Sequence, residues 1–119
     1  MITARFEGTA LTVQGHAGSA PYGQDLVCAA VSALVYALSQ RLTELDAQGT
    51  LEQPPVIELS SGNARISAVA KEKYQEKVIE DFRLIYSGLQ LLQTHYPEGI
   101  QIQDTRYKIS PLTDRSIAV

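Results

Sequence analysis

The residues of this sequence best suited to catalysis are His16 and Cys28, which lie at the two ends of a glycine-rich stretch. A histidine can take the proton of a thiol and later donate it to a leaving amine, and a thiolate is a strong nucleophile. Cys28 is the only cysteine of the chain, which excludes intramolecular disulfides and multi-cysteine zinc sites. Because a lone cysteine is more often a small buried hydrophobic residue, the catalytic interpretation depends on what surrounds the pair.

The residues between His16 and Cys28 predict a loop that runs into a helix. Three glycines and a proline in residues 15–23 favour neither strand nor helix. Over residues 25–46, apolar side chains recur at three- and four-residue spacing, which predicts a helix. Cys28 would then lie in the first turn, where unpaired N–H groups and the positive end of the helix dipole stabilise a thiolate or an oxyanion.

Asp25 precedes Cys28 by three residues, and two roles are open to it. As the helix N-cap, its carboxylate would accept hydrogen bonds from the N–H groups of residues 27 or 28. As a third catalytic residue, it would orient the imidazole of His16. A carboxylate beside a thiolate disfavours the charged thiol, so the second role requires that Asp25 pair with His16.

The rest of the chain predicts strands and helices in the order ββα-ββα-β. Besides the helix at 25–46, alternating and helical patterns place a second helix at 72–95 and strands at 2–6, 9–14, 56–59, 64–70 and 100–104. This order fits an α/β fold of the α+β type, a two-layer sandwich in which two helices cover one face of a mixed sheet of about five strands. We expect one domain over residues 1–107 and a partly disordered tail over residues 108–119.

The composition is that of a globular protein with no sign of nucleic-acid binding. The chain has 119 residues, 45% of them hydrophobic and 19% charged, which suits one domain. Its net charge is −3, and its lysines and arginines are scattered along the sequence. The sequence therefore shows no basic patch of the kind that nucleic-acid-binding proteins have. We expect no membrane segment, because no run of about 20 apolar residues is evident. Since the N-terminus does not resemble a signal peptide, we expect a cytoplasmic protein, and no residue pattern calls for a cofactor or a metal.

The stretch that carries the catalytic pair resembles a known family signature. Residues 15–34 read GHAGSAPYGQDLVCAAVSAL. They are similar to the signature of the ribosomal-processing cysteine protease family, Prp (also called YsxB-like). That signature is Gly-His-Ala-Gly, a short linker, Gly-x-Asp-apolar-Val-Cys-Ala, and then a serine within the helix.

The resemblance implies a cysteine endopeptidase that removes the N-terminal extension of a large-subunit ribosomal protein (number twenty-seven) during ribosome assembly. It implies that His16 and Cys28 form the catalytic dyad, that Asp25 is the motif aspartate, and that the chain forms a homodimer. We expect the N-terminal peptide of the ribosomal protein to contact six further residues, namely Gly15, Gly18, Ser19, Tyr22, Gly23 and Ser32. Turn formation explains Ser19 and Tyr22 equally well, and helix packing is the simpler explanation of Ser32.

Other functions are compatible with the same residues. A non-catalytic ribosome-assembly module would bind the same peptide without cutting it. A thiol redox sensor would need an intermolecular disulfide, because the chain has no second cysteine. A metal site is the weakest alternative, since His16 and Cys28 supply only two ligands.

Overall fold

The computed structural model describes residues 1–15 and 22–104, and of residues 22–25 it describes the backbone alone. A short 3-10 helix (Glu72–Tyr74) leads into the second α-helix. The elements confirm the predicted order ββα-ββα-β: β1 (Ile2–Phe6), β2 (Ala10–Gln14), α1 (Tyr22–Ala47), β3 (Val56–Ser60), β4 (Asn63–Ser67), α2 (Gln75–His95) and β5 (Ile100–Gln103).

The strands form one mixed sheet in the order β3-β4-β2-β1-β5. β1 and β5 are parallel, and the other neighbouring strands are antiparallel. Alternation along β1 separates the two faces, because Ala4 and Phe6 are buried while Arg5 is exposed. The predicted mixed sheet with two helices on one face is therefore confirmed.

The core lies between the sheet and the two helices. Phe82 of α2 is fully buried, and its neighbour one turn on, Tyr86, packs edge-to-face against Phe6 with ring centroids 5.3 Å apart. The largest fully buried side chains come from both layers: Leu11, Val27, Leu38, Leu42, Leu45, Ile66, Val78, Phe82, Leu89 and Ile100. The apolar spacing that predicted the two helices is thus the spacing of the residues that face the sheet.

Helix α1 begins at Tyr22, three residues before the predicted start. Gly23 lies in these three residues, and a glycine inside a helix lowers helix stability by about 1 kcal/mol. Residues 22–24 therefore carry no pattern that predicts a helix. Tertiary packing of a long helix outweighs such a local cost. At its other end α1 finishes as the pattern predicts: Gly49 has φ +75° and donates its N–H to Asp46, and Thr50 donates to Leu45.

One property of α1 differs from the sequence-based expectation. Residues Leu26–Ala47 are long and apolar enough, by length and composition, to cross a membrane, which corrects the expectation that no segment reaches that threshold. One such helix is weak evidence, because the core helix of a globular domain passes the same test. In this fold Val27, Val31 and Leu38 of α1 are buried in the core.

The predicted domain boundary at residue 107 and the tail at 108–119 lie outside the described residues.

Candidate functional site

A cleft opens between α1 and the hairpin that joins β3 to β4. Its volume is about 420 Å³, within the range of about 300–1,000 Å³ common for ligand pockets. The lining residues come from β1, β2, α1 and the β3–β4 hairpin: Ile2, Val13, Gly15, Cys28, Val31, Ser32, Val35, Tyr36, Leu59, Ser60, Ser61, Gly62, Asn63 and Ala64. None of these lining residues carries an Asp, Glu, Lys or Arg side chain.

Cys28 lies in the wall of this cleft, half-buried, at the seventh position of α1. The prediction that it lies in the first helical turn is wrong, because the helix begins at Tyr22. In a regular helix only the first four N–H groups lack an intrahelical acceptor, and Cys28 lies beyond them. The dipole effect falls off within the first turn, so the helix end stabilises a charge at Cys28 less than the sequence suggested.

The earlier helix start bears on the N-cap role expected for Asp25. Asp25 is the fourth residue of α1 and therefore cannot be its N-cap. Positions three apart on a helix are neighbours on one face, so the backbone places Asp25 and Cys28 on the same side of α1. The Asp25 side chain itself lies outside the described part of the chain.

Gly15, the residue before His16, lies between the Gly62 turn and the backbone of Met1. Its N–H donates to the carbonyl oxygen of Gly62 over 3.0 Å, and its φ is +102°, a conformation that favours glycine. A Cβ at this position would lie 2.4 Å from the carbonyl oxygen of Met1. The chain therefore leaves β2 toward His16 through a position where only glycine fits.

Several predicted site residues cannot be placed. His16, Gly18 and Ser19 lie outside the described residues, as do the side chain of Tyr22 and the surroundings of Gly23. The predicted residues that are described, Gly15, Cys28 and Ser32, all line the same cleft. Among the described residues, no group of three or more His, Cys, Asp and Glu side chains could hold a metal ion.

One side of the cleft was not predicted from the sequence. Tyr36 continues the stripe of Cys28 and Ser32 at four-residue spacing, a signal that was available from the sequence. Leu59 and the turn at Ser60–Asn63 form the opposite wall. No local sequence pattern indicates that β3 lies close to α1. This wall of the cleft therefore becomes apparent only in the folded structure.

Comparison with protein families gives a match over most of the chain. Residues 1–101 match the family model described as cysteine protease Prp. No curated protein sequence matches the chain.

Solved structures with the same fold cover 86–87% of this chain. The ribosomal processing protease Prp of S. aureus, in complex with a covalently linked product peptide, is 23% identical with a TM-score of 0.64, over 87% of this chain and 98% of that chain. The same protease with a substrate peptide is 19% identical with a TM-score of 0.62, over 86% and 95%. SMU.848 from Streptococcus mutans is 28% identical with a TM-score of 0.63, over 87% and 92%.

Proposed function

The chain belongs to the Prp family of cysteine proteases, and we propose that it is an endopeptidase that removes the N-terminal extension of large-subunit ribosomal protein number twenty-seven during ribosome assembly. The observation that carries this proposal is the position of Cys28, half-buried in the wall of a cleft that is also lined by Gly15, the residue before His16. None of the described residues that line this cleft has a charged side chain. A peptide strand laid in this cleft would bring a backbone carbonyl to the thiol.

In the proposed reaction His16 and Cys28 act as a dyad. His16 takes the thiol proton while the sulfur attacks the carbonyl carbon of the scissile peptide bond. The resulting tetrahedral intermediate collapses when the imidazolium donates its proton to the departing amine, which leaves a thioester on Cys28. Water, deprotonated by His16, then attacks the thioester and releases the carboxylate product with the free thiol.

Asp25 is proposed to orient the imidazole of His16. This role is favoured because Asp25 lies inside the first turn of α1, where it cannot be the N-cap, and on the same face as Cys28. A carboxylate that accepts a hydrogen bond from the imidazole holds the ring in one tautomer and stabilises the imidazolium. We propose that Gly15, Gly18, Ser19, Tyr22, Gly23 and Ser32 contact the substrate peptide.

We also propose that the protein acts in the cytoplasm as a homodimer. The outer side of α1 supports a contact between two copies, because Leu26 is 63% exposed and is followed by exposed alanines at residues 29, 33 and 37. Small side chains let a second helix approach closely. Sedimentation of Ala33→Glu is expected to give a monomer, whereas Leu84→Glu, at an exposed leucine of α2, is expected to leave the dimer intact.

The peptidase is tested with a synthetic peptide that spans the N-terminal extension and the residues after it. Mass spectrometry of the peptide after incubation is expected to show one cleavage by the wild-type chain and none by Cys28→Ala. Ser87→Ala, at an exposed serine of α2 outside the cleft, is the control and is expected to cleave normally. Cleavage by a pure Cys28→Ala chain would overturn the proposal, and binding without cleavage by the wild-type chain would favour a non-catalytic assembly module.

A further inference from the structure

The cleft extends along α1 well beyond Cys28. Cys28, Ser32 and Tyr36 all line it, and they lie at successive four-residue steps of α1. With a helical rise of about 1.5 Å per residue, the cleft follows α1 for about 12 Å. An extended peptide rises about 3.3 Å per residue, so the Tyr36 end lies roughly three to four residues from a carbonyl at Cys28.

The edge of the sheet that lines the cleft is left partly uncovered. Leu59 pairs with Ala64, which pairs with Val13, so these three residues form a row on the face of the sheet that carries the core. Burial falls along this row, from Val13 at 8% exposed to half-buried Ala64 and to Leu59 at 43% exposed. The outermost residue of the row, Leu59 on edge strand β3, therefore faces the cleft with much of its apolar surface open.

The chemistry of this end of the cleft favours an apolar guest. Tyr36, at 59% exposed, and Leu59 are two of the large hydrophobic residues that remain exposed in the fold, and both line the same cleft. Buried Val35 also lines the cleft beside them. Because none of the described lining residues is charged, none of them would compensate the desolvation of a charged side chain.

We propose that Tyr36 and Leu59 form a specificity pocket for one apolar side chain of the substrate, three or four residues from the cleaved bond. The pocket rests on the proposed function, because the guest is a peptide whose scissile bond lies at Cys28. Tyr36 and Leu59 line the same cleft as Cys28. We therefore infer that the occupant is this substrate peptide and not a second copy of the chain. Ser32, between the two ends, lies where it would contact the intervening peptide backbone.

The test pairs an alanine scan of the substrate peptide with two matched variants of β3. Leu59→Ser removes the pocket wall. Val56→Ser is its control, because Val56 is a similarly exposed apolar residue of the same strand on the opposite face and does not line the cleft. We expect one peptide position, three or four residues from the cleaved bond, at which alanine lowers kcat/KM about tenfold or more through KM. The loss should be similar with wild-type and Val56→Ser chains and largely absent with Leu59→Ser.

Binding to the inactive Cys28→Ala chain separates failure of the pocket from failure of the proposed function. The same peptides are titrated against Cys28→Ala with and without Leu59→Ser or Tyr36→Ala, and fluorescence anisotropy gives the affinities. The two binding effects are coupled if the loss of one peptide side chain weakens binding only when Leu59 is present. Such coupling, without cleavage by the wild-type chain, would contradict the proposed peptidase function and support the pocket. Cleavage with no coupling at any distal position would overturn the pocket, as would a change of oligomeric state in Leu59→Ser with unchanged selectivity.

Discussion

The backbone N–H of Gly15 donates a hydrogen bond to the carbonyl oxygen of Gly62 over 3.0 Å. This bond joins the end of β2 to the turn between β3 and β4, and that turn is one wall of the cleft that contains Cys28. Since Gly15 directly precedes His16, the chain segment that carries the proposed base starts from the wall that would hold the peptide.

Replacement of Gly15 by alanine is expected to destabilise the fold and reduce cleavage. The backbone has φ +102°, and the new Cβ would lie 2.4 Å from the Met1 carbonyl oxygen. Residues held in such sparsely populated conformations cost of order 1–3 kcal/mol, and the clash adds to that cost. Urea denaturation should therefore show a free energy of unfolding lower by about 2 kcal/mol or more.

Gly99→Ala is the matched control for Gly15→Ala. Its Cβ would meet its nearest neighbours at 3.5 Å, an ordinary contact, and its φ is not positive. The free energy of unfolding of Gly99→Ala is expected to stay close to that of the wild-type chain. Equal losses in the two variants would contradict the tight approach of Gly15 to Met1.

Replacement of His16 by alanine is expected to slow both cleavage and alkylation of the thiol. A positioned general base contributes about 10²–10⁴-fold to a reaction rate, so kcat/KM should fall by at least about 100-fold. Because Cys28 is the only cysteine, the rate of iodoacetamide labelling at neutral pH reports this one thiol. His95→Ala, which removes the other histidine at the end of α2, is the control, and an unchanged labelling rate in His16→Ala would argue against the dyad.

The ion pair between Arg41 and Asp81 is expected to contribute little to stability. Arg41 Nε donates to Asp81 Oδ2 over 3.1 Å and so links α1 to α2, but the two side chains are 36% and 23% exposed. Partly exposed pairs couple by about 0.2–1 kcal/mol. A double-mutant cycle of alanine variants, measured by urea denaturation, should give a value in that range that shrinks in high salt. A much larger coupling, insensitive to salt, would mean that the pair behaves as a buried one.

Tyr86 is expected to make the fold lose stability at alkaline pH. Burial raises the pKa of Tyr86 above its ordinary value of 10.0, and the negative charge of Asp104 raises this pKa further. Since the folded chain holds the proton more tightly than the unfolded chain, stability is fully present below about pH 10 and declines as the pH rises above it. Melting temperatures are measured between about pH 8 and 11, and they should fall more steeply with pH for the wild-type chain than for Tyr86→Phe. Tyr96→Phe, which changes an exposed tyrosine, is the control and should follow the wild-type curve.

The order of elements follows from local patterns in the sequence. Alternation predicts β1, β2 and β5 to within a residue, and the stripe of apolar residues predicts α2 apart from its first turn, which is a 3-10 helix. These patterns succeed because each residue's burial depends on which face of its own strand or helix it occupies. The order of strands in the sheet, by contrast, depends on contacts between distant segments.

The sequence by itself identified His16 and Cys28 as the candidate dyad, and it determined the family and the sandwich of helices on a mixed sheet. Only the tertiary structure decided that α1 begins at Tyr22, which removes the N-cap role of Asp25 and places Cys28 in the second turn. Only the fold brings Leu59 and Tyr36 to the same cleft, and Met1 against Gly15. The reason is physical: such contacts join segments far apart in the chain, and their free energy comes from packing in the folded state rather than from the local preference of any residue.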